Sequence, residues 1–123
     1  QKKRLEIWKE YFKQLTPIAE AGYLTLPYVP EYARHNGHLF YVVTRSSTER
    51  DQLLAFLLNN GIHAVFHYLT LHNSPYFRER HDGRPLTEAD RYAATLLRLP
   101  FYYGLQSSEI EYISEAIRKF YKQ

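Results

Sequence analysis

Apolar positions recur at helical spacing over residues 2–15, where Leu5, Trp8, Phe12 and Leu15 form one stripe that Tyr11 widens. The spacing predicts a helix there. Thr16-Pro17 then reads as a cap followed by proline at a first helical position, opening a short turn to Ala21 that Gly22 stops. Residues 23–37 lose all periodicity. Pro27 and Pro30 allow at most an edge strand near Tyr23–Leu26. His38–Thr44 is apolar on both faces, which predicts a central, covered strand. Ser46-Ser47-Thr48 precedes a helix from about Glu49 to Asn59 with Leu53, Leu54, Leu57 and Leu58 on one face, and Asn60-Gly61 ends it.

Residues 62–68 predict a second strand, with Ile62, Ala64, Phe66 and Tyr68 on one face and His63, Val65 and His67 on the other. Residues 69–85 carry Pro75, Gly83 and Pro85 and read as a long loop, of the length that compact domains keep for function. Thr87-x-x-Asp90 resembles a capping box and opens a helix to about Arg98 with Ala89, Tyr92, Ala93 and Leu96 inward. Leu99–Tyr102 is a short extended piece, and Ser108-x-x-Glu111 caps a last helix with Ile110, Ile113, Ile117 and Phe120 on its buried face. The order is helix, strand, helix, strand, helix, short strand, helix. The expected class is α+β, two to three strands covered by about four helices.

Composition narrows what such a domain does. At 123 residues there is room for one modest core. With no cysteine, a disulfide scaffold, a thiolate metal site and a cysteine nucleophile are excluded, and the usage fits the cytoplasm. A net charge of +3 is far from a nucleic-acid signature, and no apolar run is long enough for a membrane span. Twelve tyrosines are the unusual feature and predict an amphipathic contact surface. The chain opens on Gln1 within a helical pattern, holds no methionine and shows no signal peptide, which reads as an excised C-terminal piece.

The densest polar group is His63, His67 and His72. His63 and His67 would stand roughly 13 Å apart along a strand, too far for one metal ion, so no metal is expected. His67 and His72 flank the exit of a strand into the long loop, where a titratable imidazole can bind an anion or position a substrate. The loop's Arg78-Glu79-Arg80 and His81-Asp82-Gly83-Arg84 read as a solvated, charge-balanced surface. All lysines lie in the terminal helices, unsuited to a Schiff base, which needs a desolvated amine. On residues alone this is a non-catalytic α+β domain with one histidine-bearing loop. A free-standing nucleotide- or RNA-binding module, or a dimerisation domain, remains open at this point.

Three motifs add a resemblance. Gly61-Ile62-His63-Ala64-Val65-Phe66-His67-Tyr68-Leu69-Thr70-Leu71-His72-Asn73-Ser74-Pro75-Tyr76-Phe77 resembles the G-I-x-x-x-x-H-Y-x-x-L-H-x-x-P-Y-[FY] run of the DegT/DnrJ/EryC1/StrS sugar-nucleotide aminotransferases. Asn36–Val43 is similar to that family's H-x-F-Y strand, and Leu97–Leu105 to its L-x-L-P-[LF]-Y-x-G-L stretch. The resemblance implies the small C-terminal domain of a fold-type I enzyme dependent on pyridoxal phosphate (PLP). Residues 1–22 would be helices leading from a missing large domain, and 23–123 the small domain itself. It implies a homodimer that moves an amino group, usually from glutamate, to a keto sugar nucleotide. It places His67 at the active-site edge and Tyr68 and His72 near the sugar-nucleotide channel, with Tyr76, Phe77, Pro100 and Tyr102 shaping the loop. The PLP lysine, its aspartate partner and the phosphate cup belong to the large domain, so this piece alone is expected to hold no cofactor and show no transaminase activity.

Overall fold

The structure, a computed structural model, describes residues 1–66 and 68–122. Its elements are α1 (Lys2–Glu20), β1 (Tyr41–Val43), α2 (Ser47–Asn59), β2 (Val65–Phe66), a 3-10 turn (Leu71–Asn73), α3 (Thr87–Thr95), β3 (Leu96–Arg98) and α4 (Ser107–Tyr121). The sheet order is β1-β3-β2, both pairings antiparallel. This is the expected α+β architecture in the expected element order, with different boundaries at several elements.

α1 is one helix and not a helix followed by a turn. Pro17 sits inside it, close enough to the C-terminus to remove a single backbone hydrogen bond. The Thr16 hydroxyl donates to the Phe12 carbonyl at 2.7 Å, and the Ala21 N–H to the Pro17 carbonyl at 3.2 Å. Burial of Ile18 anchors this last turn. The buried stripe is Ile7, Tyr11, Leu15 and Ile18, while Phe12 faces outward.

The central strand is β3, not the His38–Thr44 segment. α3 stops at Thr95, three residues short of the expected end, because the Thr95 carbonyl is taken by Thr44: its N–H at 3.0 Å and its hydroxyl at 3.1 Å. Leu96 therefore starts a strand where the helical stripe had it facing inward. Leu97 lies between Val42 and Phe66 in register, and its side chain is fully buried. The extended piece expected at Leu99–Tyr102 begins earlier, and Leu99 prolongs the pairing by donating to Phe40 at 3.0 Å. On the outer side of β1, Thr25 exchanges both backbone hydrogen bonds with Val43, the most that Pro27 leaves of an edge strand.

β2 is shorter than residues 62–68. The Ala64 N–H donates to the Ile62 carbonyl at 3.0 Å, a tight turn that buries both side chains before the strand begins. Phe66 and Tyr68 consequently do not share their buried face, and both are exposed.

Two caps also move. Leu86 and not Thr87 precedes α3, and no side chain caps it. α4 starts at Ser107, where the Gln106 N–H donates to Glu109 Oε2 at 2.8 Å, in place of the Ser108–Glu111 pair.

One core unites these elements. Tyr11, Leu15, Phe40, Val42, Leu53, Leu57, Leu97, Ile110 and Ile117 belong to a single buried cluster, with α1 packed on α4 and α2 on α3, α4 and β3. Tyr11 stacks on Phe40 with ring centroids 5.1 Å apart and donates its hydroxyl to the Pro100 carbonyl at 2.8 Å. Burial and the nearby Tyr102 and Glu109 hold the Tyr11 phenol well above the ordinary tyrosine range.

Candidate functional site

The histidine-bearing loop is reached through two left-handed residues. Gly61, at φ 72°, ends α2, and the Ile62 N–H returns to the Leu57 carbonyl at 2.9 Å. Tyr68, at φ 62°, turns the chain away from β2. For a tyrosine that conformation costs about 1 kcal/mol or more. Tyr68 is 69% exposed. Val65, Phe66, Leu69, Leu71 and Tyr76 are exposed with it, so the segment carries a run of apolar side chains that the core does not use. His67 lies outside the described residues.

His72 is held differently from Tyr68. It sits in the 3-10 turn with only 11% of its side chain exposed. Its Nε2 lies 2.9 Å from Asp90 Oδ1 on α3 and 3.2 Å from Asn73 Nδ2. Asn73 Nδ2 is also 2.7 Å from Thr70 Oγ1 and 3.3 Å from Asp90 Oδ1. The His72 ring is beside that of His81, centroids 5.3 Å apart, and His81 Nε2 donates to the Arg84 carbonyl at 2.9 Å. Arg78 Nη2 donates to the Asn73 carbonyl at 3.3 Å, and Arg80 lies over the Tyr76 ring at 4.2 Å. The loop is thus cross-linked through its own polar groups and through Asp90, which the spacing had assigned to a helix cap.

Four of the sequence candidates line two separate depressions, and Tyr68 and Tyr76 line neither of these. His72 and Phe77 line one of about 350 Å³ with Leu71, Arg80, His81 and Leu86. Pro100 and Tyr102 line another of about 360 Å³ with His63, Glu109 and Tyr112. There Tyr102 donates to Glu109 Oε1 at 3.0 Å, and that carboxylate raises the Tyr102 phenol above its usual range. Among the described residues no three histidine, aspartate or glutamate side chains converge as a metal site. Asp90 is the residue that sequence reasoning missed, because it meets His72 from α3 and no local spacing marks it, whereas Asn73 stands inside the quoted motif beside His72 without having been given a role.

The known proteins this chain is similar to agree with its motifs. Residues 1–118 match the DegT/DnrJ/EryC1/StrS aminotransferase family, and the chain belongs to that family. Among solved structures it is similar to DesV of S. venezuelae, described in complex with a ketimine intermediate, at 26% identity and a TM-score of 0.84. It resembles NtdA of Bacillus subtilis, described with bound cofactor PMP, at 24% identity and a TM-score of 0.84. PseC of Helicobacter pylori, an aminotransferase involved in the biosynthesis of pseudoaminic acid, shares the fold at 20% identity and a TM-score of 0.83. Each similarity covers 98% of this chain but only 32%, 28% and 32% of those chains, respectively. No helix among the described residues is long and apolar enough to cross a membrane.

These residues do not by themselves fit pyridoxal phosphate. The lysines lie on α1 and at the end of α4, and all are exposed except the half-buried Lys3. None has the desolvated setting in which an amine forms a Schiff base near neutral pH.

Proposed function

We propose that this chain is the substrate-facing C-terminal part of a PLP-dependent sugar-nucleotide aminotransferase. Residues 1–22 lead from a larger domain that carries the cofactor, and 23–123 form the small domain. The amino group comes from glutamate and goes to a 4-keto-6-deoxy sugar nucleotide such as dTDP-4-keto-6-deoxyglucose. The enzyme of this kind that its motifs resemble is dTDP-4-amino-4,6-dideoxygalactose transaminase of enterobacterial common antigen synthesis. The working form is a cytoplasmic homodimer.

One observation carries the reading. The family motif from Gly61 to Phe77 leaves the core after Ala64, passes through β2 and enters a loop, and from Val65 onward its described apolar and aromatic side chains are exposed. By the motif, Tyr68, with its phenol, and His72, with its imidazole, are the side chains suited to contact a sugar nucleotide, and His67 stands in the motif beside Tyr68.

The test is to obtain the coding region upstream of Gln1 and assay the whole protein with glutamate and the keto sugar nucleotide. The expected finding is about 250 further codons, one large domain, with a lysine in a Ser-Phe-x-x-x-Lys setting. Amino transfer by the whole protein, and none by the 123-residue chain supplied with PLP, is expected. An upstream region without that lysine, or a whole protein inert toward keto sugar nucleotides, would overturn the assignment.

A further inference from the structure

Around the depression that Tyr102 lines, the phenol protons are already spent. The Tyr102 phenol donates to Glu109 Oε1 at 3.0 Å, and the Tyr112 phenol to the Asn60 carbonyl at 3.1 Å. Both therefore have oxygen lone pairs, and no proton, left for whatever enters. Glu109 adds a charge. Its Oε2 accepts the Gln106 N–H at 2.8 Å, at the positive end of α4. No lysine or arginine pairs with it among the described residues, and none lines the depression. Ile62, Leu105 and Ile113, all buried, form the apolar side of the same space. Of the lining side chains, only His63 and Ser108 keep a proton to give.

We propose that this depression, of about 360 Å³, is a binding site for an alkyl cation, an ammonium or guanidinium on an aliphatic stem. The head supplies what the wall lacks, several N–H donors and a positive charge, to Glu109 and the two phenol oxygens. The stem covers Ile62, Leu105 and Ile113. An anion would bring more lone pairs to a wall that already has them and would stand beside a carboxylate with no cation, so phosphates and carboxylates are disfavoured. A lysine or arginine side chain on another surface and a free alkylamine share the required chemistry. None of these residues belongs to the Tyr68–His72 loop, and the site stands apart from the sugar-nucleotide reading.

Butylguanidinium, titrated into the ¹⁵N-labelled 123-residue chain at about pH 8, where an ordinary imidazole is neutral, is the probe. Saturable binding in the millimolar range is expected, with amide shifts confined to residues 61–63 and 100–113. Butylurea, its neutral counterpart of similar shape, should bind at least about tenfold more weakly, the size of one hydrogen bond to a charged group. Glu109→Gln deletes the charge but keeps a capping residue at the third position of α4, and should weaken butylguanidinium about tenfold. Glu111→Gln removes a carboxylate of α4 outside the depression and should leave binding unchanged. Butylurea binding as tightly as the cation, shifts centred elsewhere in the chain, or equal losses in the two variants would overturn the proposal. The urea comparison needs no variant. N-acetylarginine amide separates the two sources: binding like that of butylguanidinium supports a side chain carried by a polypeptide, and binding by butylguanidinium alone supports a free cation. No readout depends on amino transfer, so failure here and failure of the transaminase reading are separate results.

Discussion

Leu97 and Leu69 are the same side chain in opposite circumstances. Leu97 is fully buried between β1 and β2, whereas Leu69 is 80% exposed in the loop that follows β2. Leu97 stands at a fixed position of the motif shared with the family, and packing inside this chain explains it. Leu69 stands at an open position of the Gly61–Phe77 motif, and the core of this chain does not use its side chain. The widest gap between the two regions should appear in stability. Leu97→Ala is expected to cost about 2–5 kcal/mol, the range for truncating a fully enclosed leucine. Leu69→Ala should change stability by no more than about 0.5 kcal/mol. Chemical denaturation of both variants measures this, and equal costs would erase the distinction.

Glycines sharpen the same contrast at a smaller scale. Gly37 and Gly61 both have positive φ, but a Cβ on Gly37 would stand 3.2 Å from Leu5 Cδ2 and 3.3 Å from the Arg4 backbone. Gly61 has open space around it. Gly61→Ala therefore carries only the backbone strain, about 1 kcal/mol. Gly37→Ala adds a clash with α1 and is expected to cost about 2 kcal/mol or more. A reversed order in thermal unfolding would show that the approach of residues 35–38 to α1 is loose.

Tyr11 tests the core through pH. Its phenol donates to Pro100 and is held above the ordinary tyrosine range mainly by burial. The sign follows from linkage: with a raised folded-state pKa, the stabilisation is complete below about pH 10 and declines as pH rises beyond it, because only the unfolded chain ionises readily. Tyr11→Phe should cost about 1 kcal/mol at neutral pH. It should also flatten the alkaline fall in stability, without abolishing it, since burial raises Tyr121 and Tyr41 in the same direction. An alkaline limb as steep as in the unmodified chain would remove Tyr11 from that account.

The two regions also differed in how far the sequence could be read. Helical stripes such as Leu53 and Leu57, or Ile110, Ile113 and Ile117, were legible because burial repeats with the period of the backbone. β3 was not. Leu96 and Leu97 continue the apolar stripe of α3, and only the distant Thr44, bonded to the Thr95 carbonyl, ends the helix there. Gln106 was missed as a cap for a simpler reason: Ser108-x-x-Glu111 matches the usual pattern better than the pair that forms. At the candidate site, His72 drew attention by its place beyond a strand end and Tyr68 only through the family motif. Asp90 was hidden because its partner is set by the path of the loop, and Thr87-x-x-Asp90 supplied a plausible local role that the fold does not use.

The smallest stability effect bears most directly on what the loop is for. Replacing both Leu69 and Leu71 by serine removes two exposed leucines and no core contact, so the unfolding midpoint should hardly move. The same change should lower binding of a fluorescent dye that reports apolar surface, because these leucines lie in the exposed run with Val65, Phe66 and Tyr68. If dye binding falls while stability holds, the run is a surface kept apolar for a contact made outside this chain's core. If stability falls with it, the loop packs on the domain itself, and the distinction between Leu69 and Leu97 is one of degree.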